Sequence, residues 1–343
     1  MREPIIAIDL GTGTQDILLY DPEQPIENAV KLVLPSPTRI AASRVRAVTA
    51  QKKALFLSGR VMGGGPVSSA IREHIQAGLL AYALEYPALT IHDNIERALA
   101  MGVVLVDSRP DDEAVEVRLG DIDLDVLANA LQMFEVSLPR VKALALQDHG
   151  FSPDSSNRLS RFSQWRGFLE AGGNIADLLY LKPPEGLTRM AAAFESVPGA
   201  YLMDTGAAAL RGAILDDYAA ERLDDGLLAV NTGNGHTVAA LVRGNRVWGV
   251  YEHHTSLLDP EKLADQMDRF AKGSLTHDEI FEQGGHGVVY GPDYHNLKPF
   301  KPVVVTGPRR EIARELGHPA APYGDMMLSG CFGLMEAVRE YQG

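Results

Sequence analysis

The sequence predicts a two-domain α/β protein assembled by duplication, and three observations predict it. One pattern occurs twice, as IIAIDLGTGTQDILLYD at 5–21 and LLAVNTGNGHTVAALVR at 227–243. The 343 residues exceed one ordinary core and suit two units of roughly 150 residues each. Strand-like apolar runs alternate with helical patterns in both halves, which is the signature of α/β layers. Aligned without a gap, Asp9 falls on Asn231, Gly11 on Gly233, Gly13 on Gly235 and Thr14 on His236.

The elements follow in order. The first copy reads as a hairpin with strands at 4–9 and 15–20, then a third strand near 29–34. Strand 54–58 runs through the glycine turn GRVMGGGP into a helix at 67–78. Helix 93–101, strands at 103–106 and 114–119, helix 123–134 and strand 141–148 complete the first half as far as QDHG. A helix is expected around FSQWRGFLEAG, then strand 200–204 and an Ala-rich helix at 206–220. The second copy continues through strand 246–254, helices 259–272 and 276–283, a Gly/His loop at 284–296, strand 302–307, and helices at 309–316 and 324–340. No low-complexity linker separates the halves, so the repeat alone places the boundary near 200–225.

A hydrophobic content of 45% with 22% charged residues is that of a soluble globular protein. No apolar run reaches about 18 residues and no signal-peptide pattern precedes the first strand, so no membrane span and a cytoplasmic location are expected. The net charge of -13 argues against a nucleic-acid surface, which needs clustered Lys and Arg. The partner expected is a small molecule, anionic if the glycine turns hold it, and the oligomeric state is open. Cys331 is the one cysteine, so neither an internal disulfide nor a cysteine-held iron–sulfur cluster can form within this chain.

A strand that ends in a glycine turn presents several backbone N–H groups to one point, without Cβ atoms in the way. Such a turn suits phosphate oxygens. The Asp9 carboxylate at the strand end makes sense beside phosphate if a divalent cation lies between them. Two such turns facing one another would clamp a polyphosphate.

With MDTGAAALRGAI (203–214), VVVTGPRREIA (303–313) and GDMMLSGCFGLMEA (324–337), the two hairpins resemble the five ordered motifs of the actin-like ATPase superfamily, which includes Hsp70, actin, and sugar and acetate kinases. The resemblance implies two duplicated ribonuclease H-like domains with a central nucleotide cleft. The first would span 1–204 with insertions and the second 205–343, its C-terminal helix packing back toward the hinge. It implies ATP and Mg²⁺ as cofactors, with Gly11, Thr12, Gly13, Thr14, Gly233, Asn234, Gly235 and His236 around the phosphates and Gly307 near the nucleoside. Asp9 and Asn231 would face the metal, and Asp204 would be the general base. An amide at Asn231, where the pattern has Asp, brings no charge to a metal. A single glycine before Pro308 departs from the paired glycines of the adenosine motif. Both departures weigh toward nucleotide binding over hydrolysis.

MGGGP, QDHG and the GNGH turn are similar to a prokaryotic family of this fold often labelled pyruvate formate-lyase activating enzyme-like. That label implies a radical enzyme with S-adenosylmethionine and a four-iron cluster on three cysteines, which a chain with only Cys331 cannot build.

Other constellations carry paired readings. Asp204 suits a helix N-cap as well as a base. Asp16 is either part of the metal shell or a surface carboxylate. The MGGGP turn entering a helix is an anion site or a sharp structural turn. Asp148–His149 reads as an oriented acid/base pair, with His149 catalytic. Alternatively His149, His236 and His254 hold Zn or Fe, since imidazole suits both. Arg158, Arg161, Phe162 and Trp165 share one helix face, as a lid over an anionic substrate or as a surface helix with its aromatics buried. The activity these readings favour is phosphoryl transfer from Mg–ATP to a small metabolite. The alternatives are a metal-dependent acyl or carbamoyl transferase using the histidines, or a nucleotide-gated switch without turnover.

Overall fold

The computed structural model describes residues 3–110 and 113–343, and in it the repeated pattern becomes two copies of one sheet. In the first, β1 (Ile5–Leu10), β2 (Thr14–Tyr20) and β3 (Val30–Pro35) form an antiparallel meander. The chain then leaves to build a separate parallel sheet from β4 (Leu55–Gly59), β5 (Ala81–Ala83), β6 (Val103–Leu105) and β7 (Val115–Leu119), in the order β6-β5-β4-β7. It returns as β8 (Val141–Leu146) and β9 (Tyr201–Met203), both running parallel to β1, which makes the first sheet β3-β2-β1-β8-β9.

The second sheet repeats this plan. Strands β10 (Leu227–Thr232), β11 (His236–Arg243) and β12 (Arg246–His254) form the meander, and β13 (Gly287–Tyr290) extends it at the edge. Strands β14 (Val303–Thr306) and β15 (His318–Pro319) then run parallel to β10, so the order is β13-β12-β11-β10-β14-β15. β1 is buried at every position because it is central and covered on both faces, which explains its unbroken apolar run.

Two helices fill the space between the sheets. Thr205–Ala213 lies on β10, β11 and β14, while Ser329–Gln342 lies on β1, β2 and β8, and the two pack against each other. Small residues let their backbones touch. A Cβ at Gly212 would run into the Ser329 carbonyl, and one at Gly333 into the Ala208 carbonyl. Leu210, Phe332, Leu334 and Met335 surround the crossing in the central core. Separate apolar clusters sit on the outer face of each sheet and beneath the inserted sheet.

Several elements differ from the sequence reading. Pro37–Ala50 is a helix, started by Ser36 as N-cap with Pro37 in the first turn, a signal that had read only as a break after β3. Thr188–Ser196 is a helix and Ala81–Ala83 a strand, neither expected. The helix expected at 309–316 reduces to a 3₁₀ turn at Arg310–Ala313. The last helix begins at Ser329 and not at 324, because Tyr323 and Gly324 both take positive φ. The Ala-rich stretch divides at Asp216, which caps a new turn at Asp217–Ala220.

The helix crossing yields a stability prediction. Gly333→Ala forces a methyl against backbone that cannot rotate away, so the urea midpoint should fall by an amount equivalent to about 2 kcal/mol. Gly167→Ala, at a helix position with open space around it, should leave the midpoint unchanged or raise it.

Candidate functional site

A cavity of about 530 Å³ opens where the two sheets and the inserted sheet meet. Gly11 and Thr12 of the first hairpin line it together with Gly235 and His236 of the second. The turns are alike in detail: Gly11 N–H donates to Thr14 O at 3.0 Å, and Gly233 N–H donates to His236 O at 2.9 Å. None of Gly11, Gly13, Gly233 or Gly235 has positive φ. What they require is close approach. A Cβ at Gly235 would lie 3.0 Å from Thr12 Oγ1, and one at Gly13 would strike the Asn234 side chain. The two hairpin tips therefore touch each other.

Behind the tips stand the carboxylates. Asp9 accepts from Thr205 Oγ1, and its other oxygen lies against Gly330, so it bridges the first turns of the two crossing helices. Asp16 is its cross-strand partner, buried, with Oδ1 lacking a partner among the described residues. Burial pushes the Asp9 pKa up to about 7, against the Thr205 bond and helped by the charge of Asp204. Burial and then the Asp9 charge push Asp16 up to about 8. Asn231 lies against Gly307, where a Cβ would come within 2.5 Å of its Oδ1. Neither of these residues is among those lining the cavity, nor are Gly13, Thr14, Gly233 or Asn234.

Asp204 is also set back. Its Oδ1 caps the helix by accepting from Gly206 N–H at 2.9 Å, and Arg161 clasps both oxygens at 2.7 and 2.9 Å. To act as a base it would have to leave that clasp. Asp148 likewise spends its two oxygens on backbone, accepting from Gly150 N–H at 2.8 Å and Met190 N–H at 2.9 Å. It orients the loop and the following helix, and does not orient the His149 ring.

His149 points across to the second sheet, its Nε2 lying 3.1 Å from Nε2 of His286. Sheet register assembles the rest. His236 pairs with His254 and Val238 with Glu252, so positions 236, 252 and 254 project from one face of β11 and β12. His286 precedes β13 and is held by its N–H to Glu252 O at 2.9 Å. Donor atoms of His149, His236, Glu252 and His286 all lie within 4.8 Å of one another. His254, on the cavity wall, has its ring centre 4.7 Å from that of His236 and 4.8 Å from that of His286.

Glu252 is fully enclosed. Its Oε1 accepts from Gln147 Nε2, and its Oε2 accepts from Arg161 Nε at 3.0 Å and Trp165 Nε1 at 3.4 Å. Burial opposes its charge, but Arg161 and the three histidines hold its pKa well below the usual carboxylate range. Burial lowers the histidines, His236 to about 4 and His286 to about 3. Helix Asn157–Glu170 is thus the surface helix with its aromatics buried: Ser163, Arg166 and Glu170 are exposed, Phe162 and Trp165 are buried, and the buried Arg161 is its central tie.

The MGGGP turn forms the opposite wall. Its Gly63 N–H is already taken by the Asp121 carboxylate at 3.2 and 3.3 Å, and Asp121 is paired with Arg189 at 2.7 and 2.9 Å. Arg189 and Arg72 both face the cavity. Sequence reasoning passed over Glu252, which is hidden in an apolar strand, and Arg189, which stands in a stretch given no element. A charged residue inside a buried run was the signal for the first.

Two sheets of one strand order, each delivering a glycine hairpin to one cleft, define a duplicated α/β protein of the actin-like ATPase fold. Within that class the chain belongs to the family described as "Putative pyruvate format-lyase activating enzyme (DUF1786)", whose profile matches residues 62–312. Among solved structures it is similar to the ethanolamine utilization protein EutJ from Carboxydothermus hydrogenoformans, with 13% identity, 97% of this chain and 89% of that one covered, and a TM-score of 0.35. It is similar to MreB5 of Spiroplasma citri bound to ADP, with 9% identity, 99% of each chain covered and a TM-score of 0.28. It is also similar to a PPX-GPPA enzyme of Aquifex aeolicus, with 10% identity, 89% and 68% covered, and a TM-score of 0.24. These superpositions are loose, and the fold assignment rests on strand order and the paired hairpins. No curated protein matches the chain. Among the described residues no helix is long and apolar enough to cross a membrane. The family's label does not fit the thiol chemistry here, because Cys331 is the only cysteine and is fully buried, with Sγ on Asp16 O at 3.1 Å.

The acidic pair gives a pH prediction. Unfolded, Asp9 and Asp16 lose their protons near 3.8, whereas folded they keep them to about 7 and about 8. The folded state is therefore favoured in acid, and that advantage disappears as pH rises through 7–8. In chelator-containing buffer the Tm should fall between pH 6 and roughly 9, and Asp16→Asn should flatten that fall. The depressed histidines act on the other side, with stability present above about 6.5 and lost as pH falls toward 4.

Proposed function

We propose that the chain binds a nucleoside polyphosphate with Mg²⁺ in this cleft and transfers a phosphoryl group to a small anionic metabolite. The observation that supports it is that the tips of the two duplicated hairpins line one cavity, whose volume falls in the usual range for small-molecule sites of about 300–1,000 Å³. The N–H groups of Thr12 and Gly235, both on the cavity wall, have no backbone acceptor among the described residues, as a phosphate cradle requires. Because the tips touch, the ligand occupies the cavity beside them.

Bound Mg²⁺ would neutralise phosphate charge. Asp9 and Asp16, a buried carboxylate pair behind the hairpin tips with one oxygen of Asp16 unpartnered, are the acidic groups that would hold that ion, although neither lines the cavity itself. Arg72 and Arg189 give the opposite wall the positive charge an anionic acceptor needs. Asp204, clasped by Arg161, positions the helix between the sheets. The proton of an attacking hydroxyl then falls to His254, which is on the cavity wall and is kept neutral by burial.

Isothermal titration with Mg–ATP should give heat for the wild type. Gly235→Val, which crowds Thr12, should weaken binding at least tenfold, and His254→Gln should retain binding while losing turnover. Absence of heat with the wild type overturns this reading.

A further inference from the structure

We infer that His149, His236, His286 and Glu252 form a binding site for one divalent transition-metal ion of the Zn²⁺ or Fe²⁺ class at the inner end of the cavity. It does not depend on the nucleotide reading. Four donors converge from three places in the chain: the loop after β8, the adjacent strands β11 and β12, and the residue before β13. Their spread of 4.8 Å at most is that of a set able to close on one ion. Zinc–nitrogen and zinc–oxygen bonds of about 2.0–2.1 Å place tetrahedral ligands roughly 3.4 Å apart, and Nε2 of His149 and Nε2 of His286 already stand at 3.1 Å.

An unsatisfied polar atom points the same way. His236 Nε2 is buried without a hydrogen-bond partner among the described residues, beside a His286 ring that is 1% exposed. Buried imidazole nitrogens are normally paired, so this orphan near a buried carboxylate needs an account. Charge supplies a further argument. Glu252 and Asp204 bring two negative charges and Arg161 one positive, all buried and in contact, which leaves one negative charge uncompensated. Uncompensated buried charge is costly, and a cation among neutral imidazoles removes the cost.

The donor set matches the ion class. Three imidazoles and one carboxylate are borderline ligands that suit Zn²⁺ and Fe²⁺ and disfavour Mg²⁺. The surroundings resemble a built outer shell, with Gln147, Arg161 and Trp165 fixing the carboxylate through hydrogen bonds. His149 and His236 also line the cavity, so the ion would be reachable from the space where a ligand sits. There it would act as a Lewis acid on a carbonyl or phosphoryl oxygen of an anionic ligand drawn in by Arg72 and Arg189. The ligand set departs from the trio His149, His236 and His254: register puts Glu252 in the set, the chain before β13 supplies His286, and His254 is left on the wall.

The test uses the full chain with any affinity tag removed, stripped with chelator and then titrated with Co²⁺ or Zn²⁺ alone. The wild type should bind about one equivalent, read by elemental analysis and, for Co²⁺, by ligand-field absorption of intensity typical of tetrahedral or five-coordinate sites. His236→Ala and His286→Ala should each weaken binding at least a hundredfold. Gln147→Ala, which only loosens Glu252, should weaken it about tenfold, while His254→Gln should bind as the wild type does. Wild-type protein that takes up less than a tenth of an equivalent at micromolar metal overturns the inference without reference to any variant. Equal loss in His254→Gln and His286→Ala overturns the assigned ligand set. Metal binding with no response to Mg–ATP would leave this site standing and remove the nucleotide reading alone.

Discussion

Arg161 is the residue on which the arrangement turns. Its guanidinium holds Asp204 through two bonds and Glu252 through a third, with all three side chains out of water. Asp204 starts the helix that lies on the second sheet, Glu252 belongs to that sheet, and Arg161 rides a helix that follows the first sheet's central strands. Ion pairs buried this deeply contribute little net stability compared with apolar replacements, but breaking one exposes a bare charge at a cost of about 3–5 kcal/mol. The pattern specifies register more than it adds energy. With Arg161 in place, Glu252 can face only one way, and so can the strand that carries His254.

The same logic explains why polar groups from both halves share one end of the molecule. Each sheet ends its central strand in a glycine turn, and duplication brings equivalent strand ends to the same cleft. Loops at the carboxyl ends of parallel strands are where open α/β sheets gather ligands. Here that edge receives Gln147–Gly150 after β8 as well as the two hairpin tips. The inserted sheet closes the far side with its own glycine turn and with the Asp121–Arg189 pair. The outcome is an enclosure with backbone donors on one wall, guanidinium groups on another and imidazoles at its base.

How much of this was readable from the residues depends on how local each cause is. The hairpins were legible because glycines at Gly11, Gly13, Gly233 and Gly235 answer to a local steric demand, although the demand proved to be close approach and not positive φ, within their own turns for Gly11 and Gly233 and between the tips for Gly13 and Gly235. The crossing helices were legible through runs of small residues. Helix Pro37–Ala50 was missed because Ser36–Pro37 is as good a helix start as a strand end, and nothing local separates the two. Glu252 was invisible for a different reason. Its neighbours make an ordinary buried strand, and the groups that stabilise its charge come from positions 147, 161 and 165. Likewise His286 stood out among glycines, but only the pairing of β12 with β13 brings it to His149. Pair chemistry across long sequence separation leaves no periodicity to read.

The backbone contact between Gly212 and Ser329, and between Gly333 and Ala208, has a mechanical consequence. With no side chain interposed at the contact, the two rods cannot draw nearer, so a change in their relation would be a scissor-like swivel about that point, worked against the Leu210, Phe332, Leu334 and Met335 side chains around it. Each rod is fastened to a different sheet, and the swivel therefore travels outward as an opening or narrowing of the far end. A swivel there would have the small residues at the centre as its pivot, and the touching turns at the rim would limit how far it closes.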